Sequence, residues 1–232
     1  MNAVRGRCLP PELANVFPVT DMLAVFTAAA HGILPPQDGQ VEVCDNIRGK
    51  TAAVVAFPAR FYVLAPITAQ WVHGQLPAGD YSAPLGVRFL SALADRISAG
   101  IGASDAVLAA LAHGREHDNG LNLRPIDNAD HPRVQRAHRY RDDVRVWQTG
   151  DGAGYLVLGR GLAGRWEVAF EVEPEARGRG LGRSLAAAAL GFLPTGTPVF
   201  AQVSPGNSVS LRATLSAGYS PIGGEVLLSD GA

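Results

Sequence analysis

Cysteine is nearly absent from this chain. Its 232 residues include two, Cys8 and Cys44, which read neither as a disulfide framework nor as a metal site. Charge imbalance is absent too. The formal net charge is −1, so nothing points to nucleic acid or a membrane surface as a partner. No long hydrophobic run appears: the apolar stretch Met22 to Leu34 is too short to span a bilayer. Met1 to Pro11 has no apolar core, so no signal peptide is expected. The six histidines are scattered. His113 and His117 are spaced as on a helix, but Asn119-Gly120 closes any helix there, so a surface loop is expected rather than a metal site. The expectation is a cytoplasmic protein without a metal, a monomer or homodimer. What the chain does have is apolar content: 47% of residues, enough for a real core in one large domain or two small ones.

The most informative stretch runs from Val172 to Arg183, Val-Glu-Pro-Glu-Ala-Arg-Gly-Arg-Gly-Leu-Gly-Arg. It follows the apolar run Val168-Ala169-Phe170 and leads into an Ala- and Leu-rich helix pattern. That order is strand, tight turn, helix. Gly178, Gly180 and Gly182 let another molecule approach the backbone closely. The first-turn N–H groups of a helix lack intrahelical partners and sit at the positive end of its dipole. Arg177, Arg179 and Arg183 add planar donor forks suited to phosphate. The pattern therefore predicts a phosphate or pyrophosphate site. An NTPase loop needs a Lys that is missing here, and the glycine spacing fails the dinucleotide fingerprint.

What fits is Arg-x-x-Gly-x-Gly, at Arg177, Gly180 and Gly182, preceded by Val172-x-Pro174. With these residues the chain resembles the GCN5-related N-acetyltransferases (GNAT), whose loop amides hold the pyrophosphate of acetyl-CoA. A second match follows. Val199 to Val203 reads as a buried strand; then come Pro205-Gly206-Asn207, a short helix over 208–216, and Ala217-Gly218-Tyr219. This resembles the family's later motif, in which an Asn bonds the pantetheine arm. Asn207 is also a preferred helix N-cap without any ligand, and the two roles can coexist. The resemblance covers residues 119 to 232. It implies acetyl-CoA held by Phe170, Val172, Arg177, Gly178, Arg179, Gly180, Leu181, Gly182, Arg183, Ser184, Asn207 and Ser210. A small-molecule amine is the implied acceptor.

The expected fold is α+β, with a GNAT-like half at 119–232 and an α/β domain at 1–118. The first is read as β-α-β-β-β-α-β-α-β. Its strands fall at 121–126, 144–149, 154–159, 165–172 and 199–203, with a helix from Asp130 to Arg141 and another from Arg183 to Leu193. The boundary lies in the polar run Gly114 to Gly120. In the first half the pattern predicts helices over 22–31, 87–97 and 106–112, the last capped by Ser104-Asp105, and strands over 51–57, 60–64 and 67–72. It reads either as a decayed copy of the same fold or as an unrelated α+β domain. Trp71, His73 and Tyr81 are candidate walls of an acceptor cleft, or simply packing residues.

The resemblance implies that the strand before the loop offers the backbones of Phe170 and Val172 to the thioester and pantetheine. The family's acid–base groups are harder to find. Many members carry a Glu, His or Tyr where this chain has Trp166 and Val168, and a Tyr where it has Thr214. Glu167 and Glu171 alternate with that face, and a bulge would re-aim Glu171. Glu171 is therefore the candidate base, with an arginine partner as its alternative role. Tyr219 is expected to pack in the core. Two functions follow: an acetyl-CoA-dependent N-acetyltransferase, or a non-catalytic acetyl-CoA-binding sensor.

Overall fold

A computed structural model describes residues 21–44, 51–115, 120–127 and 131–229. The elements are α1 (Met22–Ala30), β1 (Val41–Cys44), β2 (Ala52–Phe57), β3 (Arg60–Leu64), α2 (Ala69–Gln75), α3 (Val87–Ile97), β4 (Gly100–Leu111), β5 (Arg124–Pro125) and α4 (Pro132–Tyr140). Then follow β6 (Asp142–Gln148), β7 (Gly154–Arg160), β8 (Trp166–Val172), α5 (Leu181–Ala189), β9 (Pro198–Val203), α6 (Ser208–Ser216) and β10 (Ser220–Ser229). The class is mixed α/β.

Local chemistry explains most ends. Asp21 caps α1 by accepting from the Leu23 N–H, and Thr68 caps α2 by accepting from that of Trp71. Pro132 opens α4, where its missing N–H costs nothing. In α3, Leu90, Leu93 and Ala94 are buried on one face. Gly218, at φ +94°, ends α6 in a left-handed conformation.

Among the described residues the ten strands form one sheet in the order β1-β3-β2-β10-β4-β9-β8-β7-β6-β5. Of the strand pairs there, β1/β3 and β8/β9 are parallel and the rest antiparallel. The strand β4 lies between β9 and β10, antiparallel to both. Chain before residue 118 and chain after it thus share one sheet. On one face, Val107, Ala109 and Phe200 pack on Phe26 of α1, and Val146 and Val157 pack on Val134 and Ala137 of α4. On the other, Leu108, Val168, Val199 and Ala201 pack on Leu185 and Ala186 of α5. Val54 and Val226 meet Leu90 and Leu93 of α3 there. The period-two alternation of strands sorts the faces.

Three sequence expectations are corrected. The run Ala106 to Leu111 is the end of strand β4, not a helix, and Ala112 follows it. Val107 to Ala110 is buried on both faces, so it lacks the polar alternation that marks a half-exposed strand. Ile67 to Val72 opens α2 instead of forming a strand, because Thr68 supplies the cap. The strand expected over 121–126 contracts to Arg124–Pro125. The expected cap Asp130 lies outside the described residues; His131 caps α4, its Nδ1 accepting from the Arg133 N–H at 3.3 Å. The boundary segment falls partly outside them too, at 116–119.

Candidate functional site

The parallel pair β8/β9 is registered only at Trp166↔Val199 and Glu167↔Phe200. Beyond that point β8 runs on to Val172 and β9 to Val203, with no further pairing between them. The two strands splay. Hydrogen-bond parity shows what the splay uncovers. The Glu173 N–H donates to the Ala153 carbonyl at 2.9 Å, continuing the antiparallel ladder with β7. Backbone groups at odd positions therefore face β7, and those of Val168, Phe170 and Val172 face the gap. The backbones of Phe170 and Val172 thus turn away from β7 and toward the gap.

A cleft of about 310 Å³ occupies the gap. It runs through the sheet. One side is lined by Arg133, Arg136 and Tyr140 of α4, the other by Asn207, Ser210 and Thr214 of α6. Phe170, Gln202 and Asp105 line it between.

The Gly- and Arg-rich turn leaves the open end of β8. Gly178 and Gly180 sit at φ +78° and +84°, which other residues reach only with strain. Gly180 is the N-cap of α5 and supplies no side-chain cap. The amides of the first turn therefore receive no side-chain acceptor from the cap position. Gly182 packs against Phe170, where an added Cβ would stand 3.4 Å from the ring. Arg179 and Arg183 are exposed. Arg177 is exposed as well, but its Nε donates to the Val172 carbonyl at 3.0 Å, which ties the turn to the strand end. Leu181 packs on the core by its side chain, and the Ser184 N–H closes the first helical bond, to the Gly180 carbonyl.

Asn207 caps α6: its Oδ1 accepts from the Ser210 N–H at 3.1 Å. Its side-chain NH₂ remains a donor at the cleft wall. Thr214 is fully buried and donates back to the Ser210 carbonyl at 2.9 Å.

Glu171 is poorly placed as a base. Arg133 Nε donates to its Oε2 at 2.6 Å. That bond holds the carboxyl below the usual carboxylate range, against the upward effect of burial. Trp166 is buried under Arg145 and Arg160, whose guanidinium carbons lie 4.9 and 4.5 Å from the ring centroid. Val168 is in the core. The Tyr219 hydroxyl donates to the Ala186 carbonyl at 3.1 Å, and burial pushes its pKa up. It packs as expected. Trp71 packs on Phe89. His73 and Tyr81 line a separate depression beside Gly39. None of the three lines the cleft.

A buried ionic network underlies the site. Arg165 has no side-chain exposure; it donates from Nε to Glu167 at 2.9 Å and from Nη2 to Glu225 at 2.7 Å. Arg141 Nε also reaches Glu167, at 2.9 Å. Burial raises the Glu167 pKa, but Arg165 and Arg141 outweigh it and the net direction is down. For Glu225 burial wins over Arg165, and the direction is up.

Asp105 was missed by sequence reasoning, which read it as a helix cap. Strand β4 carries it into the cleft, directly opposite Glu225 of β10. Burial raises its pKa, with Arg136 pulling the other way. An acidic residue ahead of an Ala-rich run gives no signal of this; only the true strand register does. Among the described residues no group of His, Cys, Asp or Glu is arranged to hold a metal, and no helix is long and apolar enough to cross a membrane.

No family model and no curated protein matches the chain. Solved structures do match, with TM-scores below 0.5. A GCN5-related N-acetyltransferase from Kribbella flavida is 20% identical, with a TM-score of 0.39, over 62% of this chain and 64% of that one. A GNAT-family protein from Novosphingobium aromaticivorans is 18% identical, with a TM-score of 0.39, over 58% and 68%. A GNAT-family acetyltransferase from Colwellia psychrerythraea is 11% identical, with a TM-score of 0.37, over 61% of each. The chain thus spans under two thirds of the Kribbella and Colwellia proteins.

Proposed function

We propose that this chain is a GNAT-like N-acetyltransferase that moves an acetyl group from acetyl-CoA to a small-molecule amine. One observation carries the reading: β8 parts from β9 at Glu167, and the uncapped N-terminus of α5 lies beyond the end of the splayed strand. A ligand with an anionic end and an amide-rich arm matches both features. The pyrophosphate meets the first-turn amides of α5, with Arg179 and Arg183 beside it. The arm lies in the gap, where Phe170 and Val172 continue a ladder with it as a strand would. The Asn207 side chain meets it from α6. The acetyl group then lies within the sheet. A backbone N–H already aimed there stabilises the oxyanion without reorganising.

Both segments of the chain build the cleft in this reading. Residues 119–232 supply the loop, the splayed strands and α6, while 1–118 supply β4. The reading is of a cytoplasmic enzyme, a monomer or homodimer, acting without a metal.

Trp166, Val168 and Thr214, together with the Arg133–Glu171 pair, favour a second reading. In it the chain binds acetyl-CoA as a sensor and transfers nothing. Thiol release from acetyl-CoA, measured over a broad amine panel, separates the two. The enzyme reading expects amine-dependent release. Tight acetyl-CoA binding with no release for any amine contradicts it and favours the sensor.

A further inference from the structure

The α4 side of the cleft has an electrostatic feature that the acetyl-CoA reading does not use. Most of its charges are spent on each other. Arg133 is paired with Glu171, Arg141 with Glu167, and Arg165 with Glu167 and Glu225. Asp105 and Arg136 are left over. Both line the cleft, and the charge of Arg136 acts on Asp105, yet no ion pair within 4.0 Å joins them among the described residues. Opposite charges that face one space without touching leave room for a group that answers both. A second observation points to a ligand. Gln202, on the same wall, has a buried Nε2 with no hydrogen-bond partner, and such an orphaned donor is costly unless something accepts from it.

Parity gives the side. Asp105 shares its face of β4 with Val107 and Ala109, which pack toward α1, and Gln202 pairs with Val107 on that face. The loop and α6 serve the opposite face. The gap in the sheet joins the two.

We propose that this side of the cleft is an acceptor pocket for a small molecule carrying both a primary amine and a carboxylate, with Asp105 receiving the ammonium and Arg136 the carboxylate. The proposal rests on the acetyl-CoA reading of the opposite side. Arg136 is at the mouth and exposed, where a guanidinium can take a carboxylate through two parallel bonds. Asp105 is deeper and half-buried. It stands opposite the buried Glu225 across the β4/β10 ladder, and an ammonium on the cleft side of Asp105 offsets the repulsion between the two carboxylates. Tyr140 closes the α4 wall, its ring 5.4 Å from the Arg136 guanidinium carbon. Asp105 thus stands opposite Glu225 of β10 and shares the cleft with Arg133 and Arg136 of α4, Arg141 and Glu167.

The transfer balances. The Asp105 carboxylate takes one proton from the ammonium. The freed nitrogen lone pair attacks the thioester carbonyl carbon and forms the C–N bond. The C–S bond breaks, and its electron pair leaves with sulfur. A second proton from the nitrogen goes to the thiolate, giving CoA thiol and an amide that keeps one hydrogen. Asp105 returns its proton to water. Because Asp105 must be ionised to act and burial raises its pKa, activity falls on the acid side at a higher pH than an ordinary aspartate would give.

Steady-state kinetics on the full chain test this, using free amino acids and the matching amines that lack the carboxylate, with acetyl-CoA affinity measured in parallel. Asp105→Asn is expected to lower kcat about 10²–10⁴-fold, to remove the acid limb of the pH profile and to leave acetyl-CoA affinity unchanged. Asp105→Glu should keep a limb. Arg136→Gln should raise KM for the amino acids about tenfold or more, the size of a lost charge-assisted contact, and change KM for the carboxylate-free amines far less, while the acid limb moves to higher pH for both because Arg136 no longer draws the Asp105 pKa down. A wild type that prefers carboxylate-free amines overturns the proposal, as does Asp105→Asn with unchanged turnover and pH profile. Acetyl-CoA binding without turnover of any amine overturns the proposal and leaves the binding reading standing. Failure to bind acetyl-CoA removes both.

Discussion

Replacing Arg165 by Met should be among the most destabilising single changes available in this chain. Met keeps much of the apolar volume of the arginine, so the cost isolates the charge. Arg165 lies 4.3 Å over the Phe26 ring and 5.5 Å from that of Phe200, a setting that accepts a thioether. Two fully or nearly buried carboxylates lose the Arg165 guanidinium. Glu167 keeps Arg141 and the Leu162 N–H; Glu225 keeps no ion pair among the described residues. Removing one side of a buried pair costs about 3–5 kcal/mol, a large part of the roughly 5–15 kcal/mol that holds a domain folded. Urea denaturation reads this directly. At a slope of about 2 kcal/mol per molar, the midpoint falls by about 2 M. Adding Glu225→Gln should recover most of the loss, because a neutral amide needs no countercharge. The pH dependence follows. The Glu225 pKa is raised in the fold, and further without Arg165. The stability its neutral form contributes is complete below the unfolded value and lost as pH rises through the folded one. The deficit of Arg165→Met is therefore smaller at about pH 5 than at about pH 8. A loss under about 1 kcal/mol, or a double variant no better than the single, would refute the argument.

Three further outcomes are expected. Glu171→Gln should lower turnover less than about tenfold, because Arg133 already holds the carboxylate ionised; a general base would cost about 10²–10⁴-fold, and a thousandfold drop at unchanged CoA affinity would restore Glu171 to that role. Tyr219→Phe should lower stability by about 1 kcal/mol in urea titration and leave kcat and KM alone, since the hydroxyl is bonded to the Ala186 carbonyl away from the cleft. Asn207→Ala should cost about 1 kcal/mol of stability through the lost cap and also weaken CoA binding; loss of stability alone would make the residue a cap and nothing more.

Much of the C-terminal architecture was readable because its local signals agree with its tertiary role. The helix at 208–216 lies between an Asn cap and a left-handed Gly, and its ends match expectation. The turn after β8 needs positive φ at Gly178 and Gly180, and glycine advertises that need. The fold class followed from such elements. The failures have separate causes. The stretch Val107 to Ala110 of β4 is buried on both faces, so the Ala-rich end of the strand carries neither strand alternation nor a helix period that can be excluded, and misreading it hid the place of Asp105 in the cleft. The ionic network joins Arg165 to Glu225 across 60 positions, a separation no local pattern spans. The Arg133–Glu171 pair was foreseen only as an unnamed arginine partner, because α4 reaches β8 through tertiary packing alone.

The measurement that bears most directly on the central claim is calorimetric titration of the full chain with acetyl-CoA, for the wild type and for Gly180→Glu. The substitution places a side chain at φ +84°, with open space around it, and a negative charge at the N-terminus of α5. The positive φ strains the turn locally by about 1–2 kcal/mol, but the fold should survive, as a melting curve will show, because that Cβ meets no neighbour within 4 Å. The account predicts saturable binding to the wild type and none to the variant, since an anion site answered by a carboxylate can no longer take a pyrophosphate. Equal affinity in the two proteins, or no binding by the wild type, would contradict it.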